Sequence, residues 1–175
     1  MTASIWIDKA TEQYERGRYS EALVSTQKAA DLDAEEPQLW WLSALCHRAT
    51  GDLDSALESL RLVTELSSDF ASGWSLYGTI LQELDADDDE AYQDHILAQT
   101  AFEHAVEIDP SHSTSLTALS LIYRELDSDD PDEIHKEIQI LSKLDRAEGW
   151  LTSNQLNRLG ILHYNSKNFF EAIKY

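Results

Sequence analysis

Tryptophan recurs at a fixed interval of 34 residues, at Trp6, Trp40 and Trp74. A second series keeps the same step: Gly17-x-Tyr19-x-Glu21-Ala22-Leu23 returns as Gly51-x-Leu53-x-Ser55-Ala56-Leu57. Tyr77 and Gly78 follow Trp74, and Ala98, Phe102, Ala105 and Pro110 come after them at steps of four, three and five. A period of this length means one supersecondary unit copied along the chain. No single copy can bury its own apolar face, so each must pack against the next.

Within each period the apolar residues fall at helical spacing, and no segment alternates as a strand over a useful length. The spacing predicts helices over 3–16, 20–32, 37–50, 53–67, 71–85, 89–108, 113–126, 131–145, 151–166 and from 169 onward. Asp52, Asp54 and Asp130 suit helix starts, the last of them before Pro131 at the first helical position. Pro110 stops a helix by removing a donor and restricting the residue before it. Ala10, Ala44, Gly78, Ser120 and Gly160, with Ala22, Ala56, Ala98 and Ala172, are the small residues that let paired helices approach. Trp6, Trp40 and Trp74 are expected to fill the space between successive pairs.

This pattern resembles the tetratricopeptide repeat, with its W-x2-L-G-x2-Y half followed by A-x3-F-x2-A-x4-P. Residues 71–112 carry the fullest version, in Trp74, Tyr77, Gly78, Leu81, Ala98, Phe102, Ala105 and Pro110. The second repeat supplies Trp40, Ala44, Ala56, Leu60 and Val63, and the first supplies Trp6, Ala10, Ala22 and Ala29. Leu116, Leu119, Ser120 and Tyr123 mark the fourth; Leu156, Leu159, Gly160, Phe169, Glu171 and Ala172 mark the fifth. The resemblance implies an all-α chain, an alpha-alpha solenoid (superhelix) of helix hairpins in a single domain over 1–175. Its repeats would be 3–36, 37–70, 71–112, 113–150 and a truncated 151–175. Two departures stand out: about eight extra residues in the third repeat, within Asp85 to Leu97, and an acidic turn from Asp127 to Glu133 in the fourth.

The charge balance narrows the partners. There are 33 acids against 13 bases, a net charge of -20. Such a field disfavours direct binding to nucleic acid or to an anionic bilayer. Between Arg61 and Arg124 there is no Lys or Arg, while 12 acids fall there. The runs Asp85–Glu90 and Asp127–Glu133 read either as solvated turns or as docking points for a basic partner. Calcium is poorly served: Asp85, Asp87 and Asp89 alternate, but Glu90 stands where the loop requires glycine and Ile96 where it requires a bidentate acid.

In the family, the first helices of successive pairs line a concave groove that receives a peptide or a partner helix. Carried onto this chain, the groove phase selects Tyr14, Trp41, Leu45, Arg48, Thr79, Gln82, Leu121, Arg124, Asn157, Arg158, Ile161 and Tyr164. Trp41 follows a tryptophan that already occupies the packing position. It reads as an anchor for a partner, or as packing against the next repeat. Arg48, Arg124 and Arg158 draw attention because bases are scarce; they could meet a ligand carboxylate or pair with the chain's own acids. Some family members clamp a terminal carboxylate with Lys and Asn, but Ile7, Thr11 and Leu42 stand in those positions here, which argues against that role.

Chemistry is not signalled. There is no glycine-rich phosphate loop, His-Glu-x-x-His or Gly-x-Ser-x-Gly. The single cysteine, Cys46, cannot form an internal disulfide and reads as a buried small residue. The expectation is therefore a non-catalytic scaffold with no cofactor and no metal, binding a protein or peptide, with a basic one favoured. The alternatives are self-association and service as the amino-terminal regulatory module of a larger protein. The start of the chain has no basic leader followed by an apolar stretch, and no window nears 18 apolar residues, so a cytoplasmic location is expected. The chain stops inside Phe169–Tyr175, where a helix has barely begun. That suggests a piece of a longer protein, whose apolar end (Phe169, Phe170, Ile173) could form a homo-oligomer.

Overall fold

The computed structural model describes residues 2–84, 91–126, 130–172 and 174, and every regular element among them is helical. In chain order these are α1 (Ala3–Glu15), α2 (Tyr19–Ala30), α3 (Pro37–Thr50), α4 (Leu53–Leu66), α5 (Ala71–Glu83), α6 (Ala91–Ile108), α7 (Ser113–Leu126), α8 (Pro131–Glu148), α9 (Ser153–Asn165) and α10 (Phe169–Ala172). The fold is an all-α array of helix hairpins. Two compact units divide the chain, residues 1–101 and 102–175, with the boundary inside α6.

In the first unit, α1 packs on α2 and α3 on α4, while α2 meets α3 and α4 meets α5. Small residues permit this. Ala10, Ala22, Ala44 and Ala56 are wholly buried, so the helices cross with no side chain larger than a methyl between them. Around these crossings lie three clusters: Ile7, Ala29 and Leu39; Ala10, Ala22, Leu42 and Cys46; and Ala44, Ala56, Leu60, Val63, Leu76 and Ile80. Gly73 marks another close approach. A methyl there would lie 2.8 Å from Val63 Cγ1 and 3.0 Å from Phe70 Cδ1. Burial pushes the Cys46 thiol up to about 11, which makes it inert.

Tryptophan does more than fill space. Trp40 is half-buried and packs against two of these clusters. Its indole N–H donates to the Ala34 carbonyl at 2.7 Å, and Trp74 donates likewise to the Ser68 carbonyl at 3.0 Å. Each bond spans the same six residues and ties the loop entering a hairpin to that hairpin's first helix. Trp6, at the start of the series, instead carries the ammonium groups of Lys9 and Lys28 over its ring, at 4.9 and 4.5 Å.

In the second unit α7 packs on α8, α8 on α9 and α9 on α10. Phe102, Leu116, Leu119, Leu141, Leu144, Leu159 and Leu162 are buried there. Asp130 caps α8 by accepting from the Asp132 N–H at 2.9 Å, with Pro131 at the first position. The helix runs to Glu148, three residues past its predicted end, and closes at Gly149 with φ of 75°. The next helix starts two residues later than expected, at Ser153, because Thr152 and Gln155 form a reciprocal capping box.

Three of the hairpin turns share one closure. At Gly17, Gly51 and Lys167 the N–H bonds back three residues, to Tyr14, Arg48 and Tyr164, and the following N–H bonds back five, to Gln13, His47 and His163. This six-to-one and five-to-two pattern needs a left-handed residue. Glycine supplies it freely at φ of 72° and 82°, whereas Lys167 adopts φ of 60° with a side chain attached. The positions Asp85 and Asp127, which hold the same phase in the third and fourth repeats, lie outside the described residues.

Two predictions follow from local backbone chemistry. Lys167→Gly should stabilise the second unit by about 1 kcal/mol, by removing the left-handed penalty; a urea midpoint that stays level or falls would contradict this. Asp52 accepts from the Ser55 N–H at 3.2 Å and lies near His47, and Asp109 accepts from the Ser111 hydroxyl and N–H. Hydrogen bonds from Ser55 and Ser111 hold these carboxyls below their ordinary range. A carboxyl depressed in the folded state stabilises above its unfolded pKa and loses that contribution as pH falls through the folded value. The melting temperature should thus decline below about pH 4, and decline less in an Asp52→Asn, Asp109→Asn variant; equal declines in both would refute the assignment.

Candidate partner-binding face

The first helices of the hairpins, α1, α3, α5, α7 and α9, carry the twelve residues selected by groove phase. The two units treat them differently.

In the first unit the selected side chains are largely engaged. Arg48 on α3 and Glu83 on α5 form a bidentate pair. Arg48 Nε donates to Glu83 Oε1 at 3.1 Å and Oε2 at 3.0 Å, and a terminal guanidinium nitrogen donates to Oε1 as well. Hydrogen bonding to Glu83 raises the Arg48 pKa, and the charge of Glu83 and the nearby Tyr14 add to it. Tyr14 is half-buried, 5.5 Å from Tyr19 between ring centres and packed on the Ala10 cluster. Trp41 sets its ring edge-on to Phe70, with centres 5.8 Å apart, and packs against the Ala44 cluster together with Leu45. Its indole N–H is buried with no acceptor among the described residues. Thr79 turns its hydroxyl back to the Ser75 carbonyl at 2.9 Å. Gln82 is exposed. A cleft of about 300 Å³ beside the start of α1 holds Asp8, Asp33 and Glu36 but none of the twelve.

In the second unit, by contrast, Leu121 and Ile161 are 43% and 44% exposed, Tyr164 is 64% exposed, and Arg124 and Asn157 are exposed too. A cleft of about 240 Å³ brings Leu121 and Arg124 of α7 together with Arg158 of α9, and Thr117, Asn154 and Gln155 add neutral polar groups to its wall. Arg158 donates from Nε and a terminal nitrogen to the two Glu137 oxygens, both at 2.8 Å. Glu137 is 4% exposed in its side chain, so this is a buried pair. Among the described residues no carboxylate pairs with Arg124.

Glu137 is a lining residue of this cleft that groove phase did not select. Its signal is present: on α8 it falls on the same stripe as Ile134, Ile140, Leu141 and Leu144, and an acid on an apolar stripe needs a buried cation. The acidic runs fare otherwise. Residues 85–90 and 127–129 lie outside the described residues, as do Ile173 and the side chains of Phe169 and Phe170, on which self-association was expected to rest. Among the described residues no group of three or more His, Cys, Asp or Glu could hold a metal ion, and no helix is long and apolar enough to cross a membrane.

Breaking the buried pair tests its structural part. Arg158→Leu leaves Glu137 buried and unpaired and should destabilise the second unit by about 3 kcal/mol. Adding Glu137→Leu should restore most of that loss; a double variant no better than the single one would show that the pair is not the cause.

Comparison with known proteins places this geometry. No curated protein matches the sequence. The family model for the tetratricopeptide repeat (TPR) matches residues 37–70. Among solved structures, MamA superposes with a TM-score of 0.71 at 17% identity, covering 99% of this chain and 87% of its own. YrrB, described as a TPR protein with an unusual peptide-binding site, gives 0.69 at 13%, covering 97% and 80%. The first TPR of Spaghetti (RPAP3), bound to the HSP90 peptide SRMEEVD, gives 0.64 at 21%, covering 73% and 94%. At these identities the likeness to the solved structures is one of fold. The second hairpin thus matches the tetratricopeptide-repeat model, and the chain shares the helix-hairpin fold of these solved structures, with its repeated indole-to-loop bonds and recurring glycine turn.

Proposed function

We propose that this chain is a non-catalytic scaffold that binds a protein or peptide segment on the first-helix face of its hairpins, and that the α7–α9 cleft is its principal contact. One observation carries the reading: Leu121 and Arg124 stay exposed on the wall of a cleft, and Ile161 is exposed on α9, while their counterparts in the first unit are packed or paired. Exposed aliphatic groups beside a guanidinium are the composition of an interface centre. The peptide seen on Spaghetti and the peptide site of YrrB lend support from the same fold. Trp41 is no longer the leading anchor in this reading, because its ring is committed to Phe70. A cytoplasmic address belongs to the proposal on the sequence expectation alone.

A displayed peptide library panned on the chain tests this directly. Peptides enriched by the wild type should lose at least about tenfold in affinity to a Leu121→Asp, Ile161→Asp variant whose melt is unchanged. Enrichment of nothing, or of peptides indifferent to both substitutions, would defeat the proposal.

A further inference from the structure

We infer that Arg124 is a recognition site for an acidic side chain, Asp or Glu, within the bound segment. This rests on the proposed peptide-binding role of the α7–α9 cleft and names the chemistry of its ligand.

The first unit shows what an arginine at this position does when it is satisfied. Arg48 lies four residues beyond the small residue Ala44, and its carboxylate comes from Glu83, five residues beyond the small residue Gly78 of the next first helix. Arg124 lies four residues beyond Ser120, the same step. Five residues beyond Gly160, where the acid should stand, is Asn165. An amide offers one acceptor oxygen and no charge, so it cannot replace a carboxylate at a guanidinium. The second unit thus repeats the arginine and omits its acid.

The rest of the cleft does not supply the missing charge. Glu137, the carboxylate lining it, is nearly buried and already holds Arg158 through two hydrogen bonds. Thr117, Asn154 and Gln155 are neutral. Among the described residues that line it, the cleft sets two guanidinium groups against one carboxylate, in a chain whose net charge is -20. A planar guanidinium with its fork open binds a carboxylate by two parallel hydrogen bonds. The exposed Leu121 in the same cleft suits an apolar neighbour of that acid along the same segment. The general expectation of a basic partner, drawn from net charge, is therefore reversed at this cleft, while the far acidic field sets which acidic segments can approach.

The test uses the full chain and two panels of short displayed peptides, blocked at both termini, with one central position fixed as Glu or as Gln. Wild type should prefer the Glu panel by about tenfold, as expected for a hydrogen-bonded charge pair. Arg124→Gln should abolish that preference while still retaining peptides through their apolar residues. Asn165→Glu should also abolish it, by giving Arg124 an internal partner, and should not lower the melting temperature. A wild type that binds both panels equally overturns the inference and leaves the scaffold reading standing, as does a preference that survives Arg124→Gln. A preference that appears only when the peptide carboxyl terminus is unblocked also overturns it, since the ligand is then a terminal carboxylate. If neither panel is retained by any form, the scaffold reading fails and this inference falls with it.

Discussion

Close helix crossing at small residues is the constraint on which everything else hangs. Ala10, Ala22, Ala44 and Ala56 are buried without remainder, and Gly73 has no room for a methyl. Because backbones meet at these points, the larger residues on either side are forced into fixed positions. Leu60, Val63 and Ile80 fill the space around one crossing, and Leu42 and Cys46 the space around another. The side chains on the outer face of each first helix inherit their direction from the same crossings. A scaffold of this kind presents residues by register, and the register is set in the core.

That register was readable because it rests on residue types with single physical roles. Gly17 and Gly51, equivalent members of the repeated series, both adopt left-handed turns, and Asp52 and Asp130 cap the helices they precede. Lys167 was opaque for the opposite reason: lysine does not advertise a left-handed backbone, and only the hydrogen-bond pattern reveals that it closes the same turn. Helix ends moved where a cap was not recognised, as with Thr152 and Gln155 at the start of α9.

The candidate face was less legible. A 34-residue period says which side chains share a face, but not which of them meet a neighbour. Arg48, Arg124 and Arg158 looked alike in the sequence. The structure separates them by partners that come from other helices: Glu83 on α5 for the first and Glu137 on α8 for the third. Trp41 likewise could not be assigned without Phe70, which lies 29 positions away at the start of the following hairpin. Pairing is a tertiary fact, and a chain with 33 acids offers too many candidates for composition to decide among them.

The indole bonds from Trp40 to Ala34 and from Trp74 to Ser68 bear on how such a chain can change in length. Each bond has a fixed reach, so the connection from one hairpin to the next cannot grow without pulling a tryptophan off its carbonyl. The turn inside a hairpin has no such tether. In this chain the long departure from the 34-residue period falls in sequence between the end of α5 and α6, and the tryptophan-tethered connections before α3 and α5 stay short. Grafted loops, epitopes or reporter tags should follow the same geography: the hairpin tips are the editable part of the array, and the tethered joints are its fixed pitch.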